Sequence, residues 1–423
     1  MALTYSLKFR KLNFYNKVLL EKEGEIVIDR LSFRLKGKGA QDQGEVVYFG
    51  DMKDLHIKDD LLSFSTYKKE KFALSDFSNL FEVFLKDFMR VRNEYLADSL
   101  FMKVGMLMKE FEGSVDLENT HGKIVPKGKC KIQLYEGSIV IMPEKRDCFT
   151  IYLGLLKSHD FDDMEYVLRL YLDTGQNVYI SKLGTSFEDV QESMESIMGK
   201  MYEKVMAGFN EFLPGLDAAT LVKLIYLLKG GRFVTTKQLK KIHEELPEKV
   251  ESFVFEENQM MKERAAMLRK EGGEENFYYS LSVGKSRETG DLFLRTWFMQ
   301  ALPEKNMVVV GRTSGNNDTT LHFFRIIMQQ GDPAEKLKAK ILEIDQSMLI
   351  FRYDFSVVYK SRRDLRKSKF RTALKRMSFL RLLRKSYMGY SKASDLKQFE
   401  KDFGAFEDKA RVQTPTQQEP VAA

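Results

Sequence analysis

The sequence predicts a multidomain α+β chain in which a run of short antiparallel strands followed by one amphipathic helix occurs twice. A helical spacer and a third strand-rich block come after. Three observations lead there. Short segments rich in Val, Ile, Phe and Tyr alternate apolar and polar residues between Gly, Asp and Lys clusters, the mark of half-buried strands. Twice, that period of two gives way to apolar residues at steps of three and four, the spacing of one helix face. The 423 residues are 43% hydrophobic and 30% charged with 8 prolines, a globular composition of more than one domain.

In the first block the predicted strands are EIVI (25–28), LSFRLKG (31–37), EVVYFG (45–50), LHI (55–57), LLSFSTY (61–67) and KFALS (71–75). Phe77, Leu80, Phe81, Phe84, Leu85 and Phe88 then step as a helix, with Asp76 placed to cap it. A second helical stretch is expected over 94–111, fading into a loop near Gly113 to Gly128.

The second block repeats the order. CKIQLYE (130–136) and SIVIMPE (138–144) flank Gly137, CFTIYLG (148–154) follows, and YVLRLYL (166–172) and NVYISKL (177–183) flank a turn with Gly175. A helix starts at Thr185, which has capping-box spacing to Glu188. Phe187, Val190, Met194, Ile197, Met201 and Val205 form its seam.

Two successive units of short antiparallel strands plus one amphipathic helix resemble tandem pleckstrin-homology-like (PH-like) modules, over about 25–92 and 129–209. On element order they also resemble the paired modules of histone-chaperone middle domains. The resemblance implies two curled antiparallel sheets, each closed by a C-terminal helix, and such a fold alone does not fix a function. The third block with its basic helix looks like that of uncharacterised bacterial cytosolic proteins, which implies no activity.

A helical segment comes next. Leu221, Leu224, Ile225 and Leu228 mark one short helix, stopped by Gly230-Gly231. Thr235, with Gln238 at the capping-box position, starts a second that Pro247 ends, and Val250 to Phe255 is a third apolar stretch. The pair around the Gly turn resembles a helix-turn-helix unit, although KQLKKIHEELPEK has mixed charge rather than a basic reading face. A charged linker helix follows. Strands resume at YYSLSVG (278–284), DLFLRTWFM (291–299), NMVVVGR (306–312) and TTLHFFRII (319–327), with turns at 290–291 and at Gly315-Asn316-Asn317. A helix over 333–347 opens on Asp332-Pro333, and MLIFRYDFSVVY (348–359) alternates as a further strand. The expected organisation is a PH-like domain at 1–112, a second at 129–214, a small helical segment at 215–256 and a charged linker helix at 257–276. A third α+β domain at 277–359, a basic helical segment at 360–392 and a disordered tail at 405–423 complete it.

Chemistry-bearing motifs are sparse. LKGKGAQDQG (35–44) lacks both the dinucleotide and the Walker spacing and sits between strands, so it reads as a hairpin loop. His159-Asp160-Phe161-Asp162-Asp163 lacks calcium-loop spacing. His56, His121, His159, His243 and His322 form no metal signature, and Cys130 and Cys148 provide neither a disulfide framework nor an activated thiol. No catalytic, cofactor-binding or metal-binding residue is assigned, and no cofactor is expected. No apolar run approaches the roughly 20 residues of a membrane helix, and MALTYSLKFRKLNF has no apolar signal core, so a cytoplasmic protein is expected.

Charge is localised. The net +7 hides thirteen Lys and Arg against one acid between Lys360 and Lys392, leaving about −5 elsewhere. Arg362, Arg363, Arg366, Lys367, Lys369, Arg371, Lys375 and Arg376 are the candidate anion or nucleic-acid contacts. A basic helix packed on the acidic remainder of its own chain explains the same pattern. The expected function is a non-enzymatic scaffold that presents the tandem modules to a protein or peptide partner. The alternatives are nucleic-acid contact through 360–385 and peripheral attachment to an anionic membrane.

Overall fold

The computed structural model describes residues 2–13, 15–39, 42–256, 258–285, 289–313, 320–326, 333–351, 356–366 and 368–411. The chain divides into two units, Met1–Gly199 with Ser361–Ser378, and Lys200–Lys360 with Phe379–Ala423. Each contains antiparallel sheet and helices, so the chain is mixed α+β.

The first unit holds two sheets. The first comprises β1 (Leu3–Leu12), β2 (Val18–Ile28), β3 (Ser32–Gly37), β4 (Glu45–Tyr48), β5 (Met52–Lys58), β6 (Leu61–Thr66) and β7 (Lys71–Ser75), followed by helix α1 (Phe81–Ser99). Its strand order is β4-β3-β2-β1-β7-β6-β5. Phe33 of β3 and Phe64 of β6 are four strands apart in that order, which in a flat sheet means roughly 19 Å at about 4.8 Å per strand. Their rings lie 5.5 Å apart, so the sheet curls strongly on itself. Phe84 and Phe88 of α1 enter the same core, and Phe88 meets Phe33 at 5.4 Å and Phe49 at 5.6 Å. The helix buries the three-and-four-spaced stripe Phe81, Phe84, Leu85 and Phe88 and leaves Glu82, Val83 and Lys86 exposed.

The second sheet comprises β8 (Leu107–Glu118), β9 (Ile124–Tyr135), β10 (Ser138–Pro143), β11 (Phe149–Tyr152), β12 (Leu156–Asp162), β13 (Val167–Leu172) and β14 (Asn177–Ser181), followed by α2 (Phe187–Phe212). Its order, β11-β10-β9-β8-β14-β13-β12, reproduces the first strand for strand. The turns repeat as well. Asn13 Oδ1 accepts from the amides of Tyr15 and Lys17, and Asn119 Oδ1 accepts from those of His121 and Lys123, all at 3.0 Å. Left-handed backbone recurs at Asn16 and Gly122, Lys69 and Gly175, Asp76 and Lys182, and Ser78 and Gly184. Each pair is 106 residues apart (122 − 16).

Several local expectations are corrected. Of the helix expected over 94–111 only 94–99 is helical, as the end of α1, and the loop expected near 113–128 shrinks to a turn at 119–123. Helix α1 ends at Ser99, and β8 and β9 form a long hairpin. Phe101 and Gly105 at positive φ separate helix from strand, and Phe111, Gly113 and Val115 are buried at period two. Asp76 has φ 57° and caps nothing, since α1 starts after a 3₁₀ turn at Ser78–Leu80 without a side-chain cap. Helix α2 likewise starts at Phe187, two residues after Thr185, behind a 3₁₀ turn.

The second unit continues with α3 (Ala218–Leu228), β15 (Val234–Thr235), α4 (Thr236–Lys240), α5 (Leu246–Phe255) and α6 (Gln259–Gly272). Strands β16 (Phe277–Lys285), β17 (Leu292–Leu302), β18 (Met307–Arg312) and β19 (Leu321–Arg325) follow, then α7 (Pro333–Ile350) and α8 (Ser356–Tyr359). After α9 (Arg362–Arg366) and α10 (Arg371–Arg376), which belong to the first unit, come α11 (Ser378–Ser386), β20 (Tyr387–Ser391) and α12 (Leu396–Arg411). The sheet runs β15-β16-β17-β18-β19-β20. Leu221, Leu224, Ile225, Val250, Leu268, Phe399 and Phe403 share one core with Phe277, Phe298 and Phe323 of that sheet.

Thr235 forms the expected capping box with Gln238, while Pro247 begins α5 rather than ending α4. Of the strand expected at 348–359, residues 348–350 end α7 and 356–359 form α8, while 352–355 lie outside the described residues. Ile344, Met348 and Phe351 are buried at helical spacing, which a short apolar run does not distinguish from alternation. The basic stretch is three short helices and a strand rather than one helix. Helix α12 reaches Arg411 with Phe406 and Ala410 buried, so it runs into the stretch expected as a tail. Residues 412–423, the turn at 315–317 and the Asp332 cap lie outside the described residues.

Candidate functional site

Strand β5 ends the first sheet and pairs only with β6 among the described strands, so one side of its backbone is open. Open strand edges offer unpaired amides and carbonyls and are ready templates for another strand. Beside β5 lies a groove of about 600 Å³. Leu55 and Ile57 of β5 and Phe81 of α1 form its apolar floor, because alternation turns both β5 side chains toward the first core. His56, Lys58, Asp59 and Asp60 stand along one rim. Glu82 and the Lys145–Arg146 segment of the β10–β11 connection make the other. Lys145 pairs with Glu82 at 3.0 Å, while Arg146 is exposed and forms no ion pair among the described residues.

The second repeat treats the corresponding place differently. Phe161 of β12 pairs with Leu168 as Ile57 pairs with Leu62. The rings of Phe161 and Tyr166 lie 6.0 and 5.4 Å from Phe187 at the start of α2. The second repeat thus sets aromatic rings against the start of its helix where the first has Ile57 and Asp60. A further recess of about 460 Å³, near Lys182 and Gly184, has compensated ionic walls, with Lys131 at 2.9 Å from Glu110 and Lys129 at 3.3 Å from Glu112.

Among the described residues, three of the candidate cations of the basic stretch are held by groups of their own chain. Arg371, at 3.2 Å, and Lys375 both pair with Asp51. Arg376 donates to the Met52 carbonyl at 2.7 Å and pairs with Asp147. Lys369 lies over the rings of Phe101 and Phe370. Arg362 and Arg363 are exposed on α9. The Arg366 side chain and Lys367 lie outside the described residues. Asp147 is the centre of this arrangement, because the fully buried Arg92 of α1 grips it as well, with Nη2 at 3.1 Å. Burial pushes the Asp147 carboxyl up, but the Arg92 and Arg376 guanidiniums outweigh burial and hold it below the usual range.

Other sequence motifs resolve into structure. Asp42 ties the 35–44 loop by accepting from Gly37 N and Gly44 N and pairing with Lys22, which together lower its pKa to about 2. Arg169 gathers Asp160, Asp162 and Glu165. Burial pushes the thiols of Cys130 and Cys148 up to about 12. His322 is buried and hydrogen-bonds Tyr387 Oη at 3.2 Å. Sequence reasoning named the β5 segment but missed its groove, because Lys145 and Arg146 reach it from about 90 residues away. No protein-family model matches the chain, and no curated protein matches it. Among the described residues, no helix is long and apolar enough to cross a membrane.

Proposed function

We propose that the chain is a non-enzymatic binding scaffold whose repeated units are PH-like modules, and that the first takes an extended peptide of a partner protein along β5. The carrying observation is the open β5 edge, walled by Glu82, Lys145 and Arg146 into a groove of about 600 Å³. Main-chain hydrogen bonds to a sheet edge supply affinity, and side-chain pockets between edge and helix supply selectivity. A volume of this size falls in the range of ordinary ligand clefts. The apolar floor fits one or two aliphatic or aromatic side chains, and Arg146 favours a neighbouring carboxylate. Use of Arg371, Lys375 and Arg376 inside the unit favours this reading over phosphate contact through the basic stretch, since a phosphate would have to displace Asp51 and Asp147.

The test is selection of a random dodecapeptide library on the full chain, followed by affinity measurement on an Ile57→Phe/Asp60→Tyr variant. That variant gives the first groove the aromatics of the second. Selected peptides should lose at least tenfold in affinity while the far-ultraviolet spectrum stays unchanged. Peptides that bind the filled variant equally well would remove the groove from the account.

A further inference from the structure

We infer that Ser361–Ser378 is a strap that braces the β5 groove from behind its lining, so that strap docking and peptide binding reinforce each other. This rests on the groove reading above. The strap reaches the repeats from far along the chain and is anchored by apolar and polar contacts alike. Leu365, Phe370 and Ala373 are buried, and Phe370 stacks on Phe101 at 5.2 Å. Thr372 Oγ1 lies 2.7 Å from Tyr95 Oη, and Tyr67 Oη donates to the Lys375 carbonyl at 2.9 Å. These contacts all involve the first repeat or the segment after α1.

Arg376 makes the link to the groove. It donates to the carbonyl of Met52, the first residue of β5, and it pairs with Asp147, which directly follows Lys145 and Arg146 of the groove rim. One side chain therefore occupies an acceptor at the start of the edge strand and restrains the segment that builds the opposite wall. Asn93 secures the same segment independently, donating to the carbonyls of Pro143 and Arg146 at 3.1 and 3.0 Å. Loss of Arg376 thus loosens the wall without unfolding it. A peptide that needs the wall in place binds the docked state better, and by linkage its binding must favour docking by the same factor.

Two variants test this in the full chain: Arg376→Met, and Asp51→Asn, which weakens the strap through Arg371 and Lys375 instead. Hydrogen exchange without peptide should quicken about fivefold or more at 144–148 and 371–378 in both, with β16 to β19 unchanged. A fluorescein-labelled dodecapeptide recovered by the library selection should bind each variant about fivefold or more weakly, the lower end of ordinary coupling. A Lys338→Ala control, on an exposed position of α7 in the second unit, should bind as the parent does. Unchanged exchange overturns the strap. Unchanged or tighter peptide binding with quickened exchange overturns the coupling and leaves the groove standing. Failure to recover any peptide removes the groove, and the coupling with it.

Discussion

Replacing Arg92 by methionine keeps the aliphatic stem in its buried place and removes one of the two guanidiniums on Asp147. Breaking a fully buried ion pair costs about 3–5 kcal/mol because the remaining charge is stranded. Asp147 keeps 38% of its side chain exposed and retains Arg376, so screening and the second partner reduce the cost to about 2 kcal/mol. For a unit of roughly 200 residues that corresponds to a melting temperature lower by roughly 4–8 °C. Circular dichroism reads the transition. Trp297, the single tryptophan, lies in β17 of the other unit and follows that unit separately. The pH dependence carries a sign. A carboxylate held below its ordinary value of 3.8 contributes stability that is fully present above that value and is lost as pH falls through the folded pKa. The destabilisation by Arg92→Met should therefore be constant from pH 7 down to about 5 and shrink only under stronger acid. A shift below 1 °C at pH 7 would refute the reasoning.

Asp345 offers the opposite pH signature. Burial pushes its carboxyl up to about 7 despite the Phe233 amide and nearby Arg232. Stability from it is present below 3.8 and lost as pH rises toward 7, so Asp345→Asn should stabilise the chain at pH 8 and have no effect near pH 3, as denaturant titrations at the two pH values would show. Phe84→Ala, at a fully buried ring touching Phe77, Phe81 and Phe88, should cost about 3–5 kcal/mol in the same titration. Thr235→Ala removes the capping-box oxygen before α4 and should cost about 1 kcal/mol. Cys130 and Cys148, both buried with raised pKa, should resist a thiol reagent at pH 8 in native protein and react fully in denaturant.

The repeated change of period was legible because burial on one face imposes it directly: Phe84 and Phe88 on the helix, Leu62, Phe64, Phe72 and Leu74 on the strands. What failed was local. In Leu3–Leu12 the residues Leu3, Tyr5, Leu7 and Phe9 alternate cleanly with Thr4, Ser6, Lys8 and Arg10, so β1 was legible and was passed over, whereas the adjacent Leu107 and Met108 and the side-chain gap at Gly113 blur the period of β8. Asp76 has the right chemistry for a cap, but the chain enters α1 through a left-handed turn that moves it away. The site was half legible. Cation clustering marked 360–392, yet only folding shows that Arg371, Lys375 and Arg376 meet Asp51 and Asp147, which lie more than 200 residues earlier. The groove was invisible because no motif joins β5 to Lys145 and Arg146.

The most direct test of the account is amide hydrogen exchange across the full chain with and without a saturating selected dodecapeptide. New protection should centre on Leu55 to Lys58 of β5, with a smaller gain at 144–148. Protection confined to α9, to β20 or to the second repeat, with β5 amides exchanging as before, would contradict it.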